Sequence, residues 1–301
     1  DPEGTSVGPL TYEIVEPLQK VRFRLAENDI LPLTFDVTFE KRMPPFFEDR
    51  HIQRDGDGFR VVSDVIRYHQ AGTVSGWVKV ARERHEIRPE EWFAFRDHSW
   101  GVRLDVGAHP TDLRGSADFG DKAFGKQAFV LNWCPIVLEA PDGKAWGYHF
   151  YLQQRAGKTF YLSGYQNHPD GEQEKAARVR PHLRYDDKTR RLQGGTIEYD
   201  LLSGGTRTVS VEVVGETGFH LGPALYLGFD GKKHGMWRGK LHVEGERIED
   251  TKDVKTLHRI HQLRDNIIRV REGDASGYGI IETIVTGPNA EIGLTEEASF
   301  V

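Results

Sequence analysis

The chain is poor in sulfur and in long apolar runs. Its 301 residues include one cysteine, Cys134, and two methionines. A single thiol can neither close an internal disulfide nor build a multi-cysteine zinc site, so a reducing, cytoplasmic setting is expected. Apolar runs such as Ala128 to Leu131 fall far short of the roughly 18 residues that a spanning helix needs. No integral membrane segment is expected. The first four residues, Asp1-Pro2-Glu3-Gly4, lack both the charged region and the apolar region of a secretory signal.

A basic excess is also missing. Forty Lys and Arg stand against 46 Asp and Glu, a formal net charge of −6, and the basic residues are scattered among acids. That balance disfavours a nucleic-acid partner and gives no electrostatic reason to sit on anionic membranes. No Walker loop occurs and no GxGxxG string leads from a strand into a helix, so no nucleotide cofactor is expected. The Asp55-Gly56-Asp57-Gly58 string lacks the terminal acid of an EF-hand and reads as a hairpin turn.

Glycine and aromatics are abundant: 33 Gly, with 6 Trp, 10 Tyr and 16 Phe. Aromatics fit pleated surfaces and glycine punctuates turns, which points to a mostly antiparallel β protein. Period-two alternation supports this. Val21, Phe23 and Leu25 alternate with Lys20, Arg22 and Arg24, and Leu33, Phe35, Val37 and Phe39 with Thr34, Asp36 and Thr38. Further strands are expected at 76–81, 128–131, 145–153, 159–164, 195–199, 207–214, 238–243, 267–271 and 279–285. A turn is expected at Pro141-Asp142-Gly143. The spacing of turns suits sandwiches or barrels.

The polar stretch from Asn167 to Arg178 carries no strand signal and is the best boundary, dividing the chain into modules of residues 1–170 and 171–301. Each half holds a His, a Gly before a strand and a hydrophobic-Arg-Asp triplet in the same order: His69, Gly76 and Phe95-Arg96-Asp97, then His234, Gly239 and Leu263-Arg264-Asp265. This reads as a diverged duplication of one β module.

The most unusual stretch is Arg96-Asp97-His98-Ser99-Trp100-Gly101-Val102-Arg103. On a regular strand Arg96, His98 and Trp100 share one face and Asp97 and Ser99 the other, unless a bulge at Ser99 or Gly101 intervenes. Such residues can serve general acid–base chemistry, a carboxylate or imidazole being tuned by burial and charge. They can equally form a structural Arg–Asp ion pair with Trp100 as core filler.

The RDHSWG string, the upstream Tyr68-His69-Gln70-Ala71-Gly72 and the duplicated β layout resemble the lipocalin-like superfamily of carotenoid 1,2-hydratase (hydroxyneurosporene synthase) and the AttH-type proteins. That resemblance implies two lipocalin-like β-barrel or sandwich modules. It also implies cofactor-independent proton transfer on an apolar small molecule: hydration, dehydration, isomerisation or cyclisation. Asp97 matches the motif acid, Trp100 the aromatic lining the pocket, and His98 a group that orients Asp97 or relays a proton. Arg96 and Arg103 lie outside the motif's core, and their charge fits tuning or anion binding. The second half keeps Arg264 and Asp265 but has Asn266 and Ile268 in place of His98 and Trp100, so one site, near the first half, is expected. A carrier of hydrophobic ligands is the alternative, since one cavity serves either role.

Other candidates are aromatic. Trp146, Tyr148 and Phe150 share a strand face, and Tyr161 and Tyr165 lie on the next strand; they read as core or as a pocket wall with phenols for polar contacts. Trp133, beside Cys134, and His69, before Gly72, join Tyr148, Tyr161 and Tyr165 as candidate substrate contacts. Cys134 reads as inert packing, and Ser99 lacks a nucleophile elbow. His258 and His261 have metal-compatible spacing but no third ligand at a recognised distance, so no metal site is expected.

Overall fold

A computed structural model describes residues 4–54, 58–103, 128–216, 218–221, 236–260 and 263–295, without the side chains of His51 and His258. Two compact units divide the chain, and neither is a contiguous half. The first comprises Asp1–Phe47, Tyr68–His98 and Trp237–Glu249, the second Glu48–Arg67, Ser99–Met236 and Asp250–Val301.

The fold is all-β, as the composition predicts. One nine-stranded sheet, curled into a half-barrel, contains β1 (Gly4–Val7), β2 (Leu10–Glu16), β3 (Lys20–Leu25), β4 (Leu33–Lys41), β5 (Phe46–Phe47), β6 (His51–Arg54), β7 (Val61–Val80), β8 (Glu83–Ile87) and β9 (Phe93–Val102). The order runs β1-β2-β3-β4-β7, and β5, β6, β8 and β9 all pair with β7. The strand expected at 76–81 is thus the end of a 20-residue element. In the first unit the expected alternation holds. Tyr12, Phe23 and Phe35 form an aromatic row across β2, β3 and β4, with ring centroids 6.3 and 5.2 Å apart, while Arg22 on the other face donates to both carboxylate oxygens of Asp36.

The second sheet is a closed barrel. Its strands are β10 (Phe129–Glu139), β11 (Ala145–Arg155), β12 (Lys158–Asn167), β13 (Gln173–Tyr185), β14 (Leu192–Leu201), β15 (Thr206–Val213), β16 (Phe219–His220), β17 (Arg264–Glu272) and β18 (Ala275–Thr286). Pairing in the order β15-β14-β13-β12-β11-β10-β18-β17, with β15 returning to β17, closes eight strands into a ring; β16 adds to β17 outside it. Every second residue faces inward, giving a core of Cys134, Ile136, Leu138, Tyr148, Phe150, Leu152, Ile197, Tyr199, Val209, Ile268 and Ile281. Pro135 has no amide to donate, and the ladder from β10 to β18 is interrupted at Cys134 and Pro135 while that to β11 continues. A short helix, α1 (Val254–Ile260), is capped by Asp253, whose carboxylate accepts from the Thr256 amide at 3.0 Å.

Two expectations are corrected. Residues 238–243 form no strand, so the duplicate's Lys240 to Val243 has no counterpart to the β7 strand that it aligns with. The Asn167–Arg178 stretch does carry a strand: the chain turns at 168–171 and enters β13, which pairs with β12. The alternation of β13 is hidden in sequence because Lys175, Arg178 and Arg184 occupy exposed positions, while the core-facing set begins with the small Ala176 and continues with Val179, Leu183 and Tyr185. The turn at 168–171 lies within the second unit. The Asp55-Gly56-Asp57 turn, His234 and His261 lie outside the described residues.

Candidate functional site

The motif strand β9 brings Arg96 and His98 together in the first unit. As alternation predicts, both face Tyr68. The Arg96 guanidinium lies 5.1 Å from the Tyr68 ring centroid and 5.9 Å from that of Tyr12, and the His98 imidazole stacks on Tyr68 with centroids 5.3 Å apart and planes at 25°. Arg96 Nη2 donates to Tyr12 Oη at 2.7 Å and Nη1 to Gln70 Oε1 at 3.4 Å; Gln70 in turn donates to the Leu18 carbonyl at 2.9 Å. The upstream Tyr68 and Gln70 therefore act as the socket for the motif arginine. His69 points the other way, buried against Phe46 with ring centroids 4.9 Å apart. Asp97 is exposed.

Burial, and then the neighbouring Arg96 charge, lower the His98 pKa, so the imidazole is neutral at neutral pH. Burial raises that of Tyr68, which keeps its proton. A fixed guanidinium and a neutral imidazole thus bracket the Asp97 carboxylate along the strand.

Residues 99–103 belong to the second unit. Arg103 Nη1 donates to Ser99 Oγ at 2.9 Å, and Trp100 is 44% exposed. Gly101 has φ +124°, and a Cβ there would stand 2.1 Å from the Asp64 carbonyl oxygen, so only glycine lets the strands approach.

Other candidates gather on the outer face of the second unit's barrel. Trp133 lies opposite Tyr151, Tyr151 opposite Ser163, Gln153 opposite Tyr161, and His149 opposite Tyr165, which itself faces Lys175. Glu48 and Asp49, just before β6, reach this face. The Trp133 indole donates to Glu48 Oε1 at 2.5 Å, and His149 Nε2 lies 3.5 Å from the same oxygen. His149 is wholly buried and the Glu48 side chain is 9% exposed. Arg67 lies over the Trp133 ring at 5.5 Å. Tyr165 donates to Asp49 Oδ2 at 2.7 Å, and Lys175 Nζ stands 3.4 Å from that oxygen.

The phenols here are held protonated. Burial pushes Tyr151 up to about 12 and raises Tyr161, while burial and then the Asp49 acceptor raise Tyr165. They are hydrogen-bond donors at neutral pH, beside a sequestered carboxylate and imidazole. That set can donate, accept and relay protons.

Trp133, Tyr161 and Tyr165 are thus brought together, but Tyr148 is not. It faces the barrel interior, stacks on Tyr199 at 4.6 Å and donates to Glu272 at 2.9 Å. Glu48, Asp49, His149 and Arg67 are not among the residues that the sequence motifs mark. For His149 the signal was present: it alternates out of phase with Tyr148 and Phe150, and so shares Trp133's face. Glu48 sits in an irregular stretch where periodicity gives no cue.

Fold and polar clusters together define an all-β protein of two antiparallel modules, one a closed barrel, carrying sequestered acid–base groups. In sequence the chain belongs to DUF8625, a family of unknown function, whose model matches residues 1–295. No curated protein matches it in sequence. Among solved structures it is similar to kievitone hydratase from Nectria haematococca, with 13% identity, TM-score 0.44, and 93% of this chain and 70% of that one covered. It is also similar to a putative AttH from Nitrosomonas europaea, with 11% identity, TM-score 0.49, and 91% and 67% covered.

Proposed function

We propose that the chain is an enzyme of the hydratase or isomerase kind, moving protons on an apolar small molecule without a cofactor. The observation that carries this reading is the sequestered Glu48–His149 pair, fixed by the Trp133 indole: a carboxylate and an imidazole sharing one site can hold and pass a proton where bulk water does not compete. The RDHSWG resemblance points in the same chemical direction and assigns the general acid/base role to Asp97, with His98 orienting or relaying. Arg96, Arg103, Trp100 and His69 are proposed to contact substrate on the same ground. Trp133, Tyr161 and Tyr165 are proposed as contacts from their shared face, and Tyr148 as a wall of the barrel interior. Hydration of an alkene would require protonation of one carbon, capture of the cation by water at the other, and return of a proton to the base; Trp100 would stabilise that cation through its π face.

The test is incubation of the full chain with a panel of terpenoid, steroid and aromatic lipids, followed by extraction and mass spectrometry, beside Asp97→Asn and Glu48→Gln. Gain or loss of the mass of water, or a changed retention at constant mass, is expected with the parent only. Ligands returned unchanged by parent and variants alike would overturn the enzyme in favour of a carrier. One observation favours that second reading. A cleft of about 650 Å³ opens in the barrel wall where β12 and β13, paired over three residues only, diverge; Val130, Leu152 and Leu183 line it together with polar groups that include Asn132, Tyr185, Arg184 and Glu291.

A further inference from the structure

The barrel of the second unit contains a buried cation, Arg264, apart from the Glu48–His149 pair. Along β17, Arg264, Asn266, Ile268 and Val270 are buried in alternation with more exposed residues, so Arg264 belongs to the inward-facing set at one end of the barrel. It is 2% exposed. Its Nε and Nη2 atoms, both inaccessible to solvent, have no hydrogen-bond partner among the described residues. A guanidinium cannot shed its charge at physiological pH, and burying it without an acceptor is strongly unfavourable.

A second guanidinium, that of Arg191, and a half-buried imidazole, that of His220, stand nearby. His220 lies directly across from Arg264 in the β16–β17 pair, with its Nδ1 donating to the Ile260 carbonyl at 2.8 Å, which leaves Nε2 directed elsewhere. Arg191, anchored by Nη2 on the Thr251 carbonyl at 2.9 Å, also has an inaccessible Nε without a partner among the described residues. Burial and then the Arg191 charge lower the Arg264 pKa to about 10. Around the barrel, Arg264 stands opposite Thr283, Thr283 opposite Asn132, and Asn132 donates to Tyr185 Oη at 2.9 Å. A polar layer therefore crosses the barrel end, joining the buried cation's register to two residues of the 650 Å³ cleft.

We propose that this end of the barrel is an oxyanion site, with Arg264 as counter-charge and Arg191 and His220 flanking, for a carboxylate, phosphate or sulfate group. The site is separate from the Glu48–His149 pair and does not depend on the enzyme reading. Two sources share the chemistry: a free inorganic oxyanion, or the head group of an organic acid whose apolar body extends toward Val130 and Leu152.

The experiment is thermal unfolding of the full chain against increasing octanoate, acetate, inorganic phosphate or octanol, at constant ionic strength set with chloride. A ligand that binds only the folded state raises the unfolding temperature with its concentration. At least one anion is expected to do so saturably, octanol is not, and Arg264→Met is expected to abolish the response. An effect of octanoate alone identifies an apolar carboxylate, and equal effects of acetate and phosphate identify a free oxyanion; both support the site. Arg264→Lys keeps the charge but loses the guanidinium fork, and should shift the midpoint of the response upward by about tenfold. That variant serves if Arg264→Met does not fold. No response to any anion, or a response unchanged in Arg264→Met or in Arg264→Lys, would overturn the proposal.

Discussion

Glu48 and His149 meet at 3.5 Å on the outer face of the barrel, one from an irregular segment and one from the middle of a strand, and the Trp133 indole donates to the carboxylate oxygen they share. Covalent distance along the chain is large, and burial is nearly complete. Sequestered carboxylates persist only where donors replace water. The Trp133 hydrogen bond is one such donor, so it bears on both stability and chemistry.

Trp133→Phe keeps the aromatic packing and removes the indole N–H. Hydrogen bonds to charged groups contribute about 1.5–3 kcal/mol, and a loss of that order is expected in urea unfolding. Glu48→Gln combined with Trp133→Phe should cost less than the sum of the single changes, because the two groups interact directly. Additive losses would show that the bond contributes nothing.

Arg96 is held by Tyr12 and Gln70 and packed on Tyr68. Lysine cannot reproduce a planar fork that bonds two groups while stacking on a third. Arg96→Lys should therefore destabilise the fold by about 1–3 kcal/mol, close to the effect of Arg96→Met. Full rescue by lysine, measured by thermal unfolding, would mean that charge alone matters there.

Tyr199 is wholly buried, and its hydroxyl has no hydrogen-bond partner among the described residues. Removing a buried, unsatisfied polar atom relieves a desolvation penalty of about 1–3 kcal/mol. Tyr199→Phe should leave stability unchanged or raise it, with the denaturant midpoint as the readout. A clear loss of stability would point to a bound water on that hydroxyl.

His98 and His220 both titrate below the ordinary histidine value, each through burial first and then a neighbouring arginine, Arg96 and Arg264 respectively. Between their folded values and about 6.5 the unfolded chain binds more protons than the folded one, so stability rises with pH across that window. The loss accrues as pH falls through that window and is complete below the folded values. Arg96→Met removes one cause for His98 and should flatten part of the slope. A urea midpoint that stays level or falls from about pH 5 to about pH 7 would contradict this assignment.

The sheet strands were the legible part of the sequence because alternation is a local property: β3, β4, β11 and β17 declare themselves through residues two apart. Cys134 as inert core was legible too, and burial pushes its thiol pKa well up. β13 was hidden because many of its outward positions are charged and its inward ones include a small Ala176. The two discontinuous units were not visible at all, since Glu48–Arg67 and Trp237–Glu249 are assigned by contacts far apart in sequence. For the candidate site, Arg96 and His98 follow from one strand's periodicity, whereas Glu48 beside His149 depends on a crossing that no local pattern encodes.

The proposed chemistry is proton transfer to or from carbon. Its most direct measurement is incubation of the full chain with the lipid panel in D2O, followed by mass spectrometry of the recovered molecules. Incorporation of a carbon-bound deuteron is predicted with the parent protein, and its loss with Asp97→Asn or Glu48→Gln in folded protein identifies which carboxylate carries the step. Recovery of every panel member without carbon-bound deuterium would contradict the account.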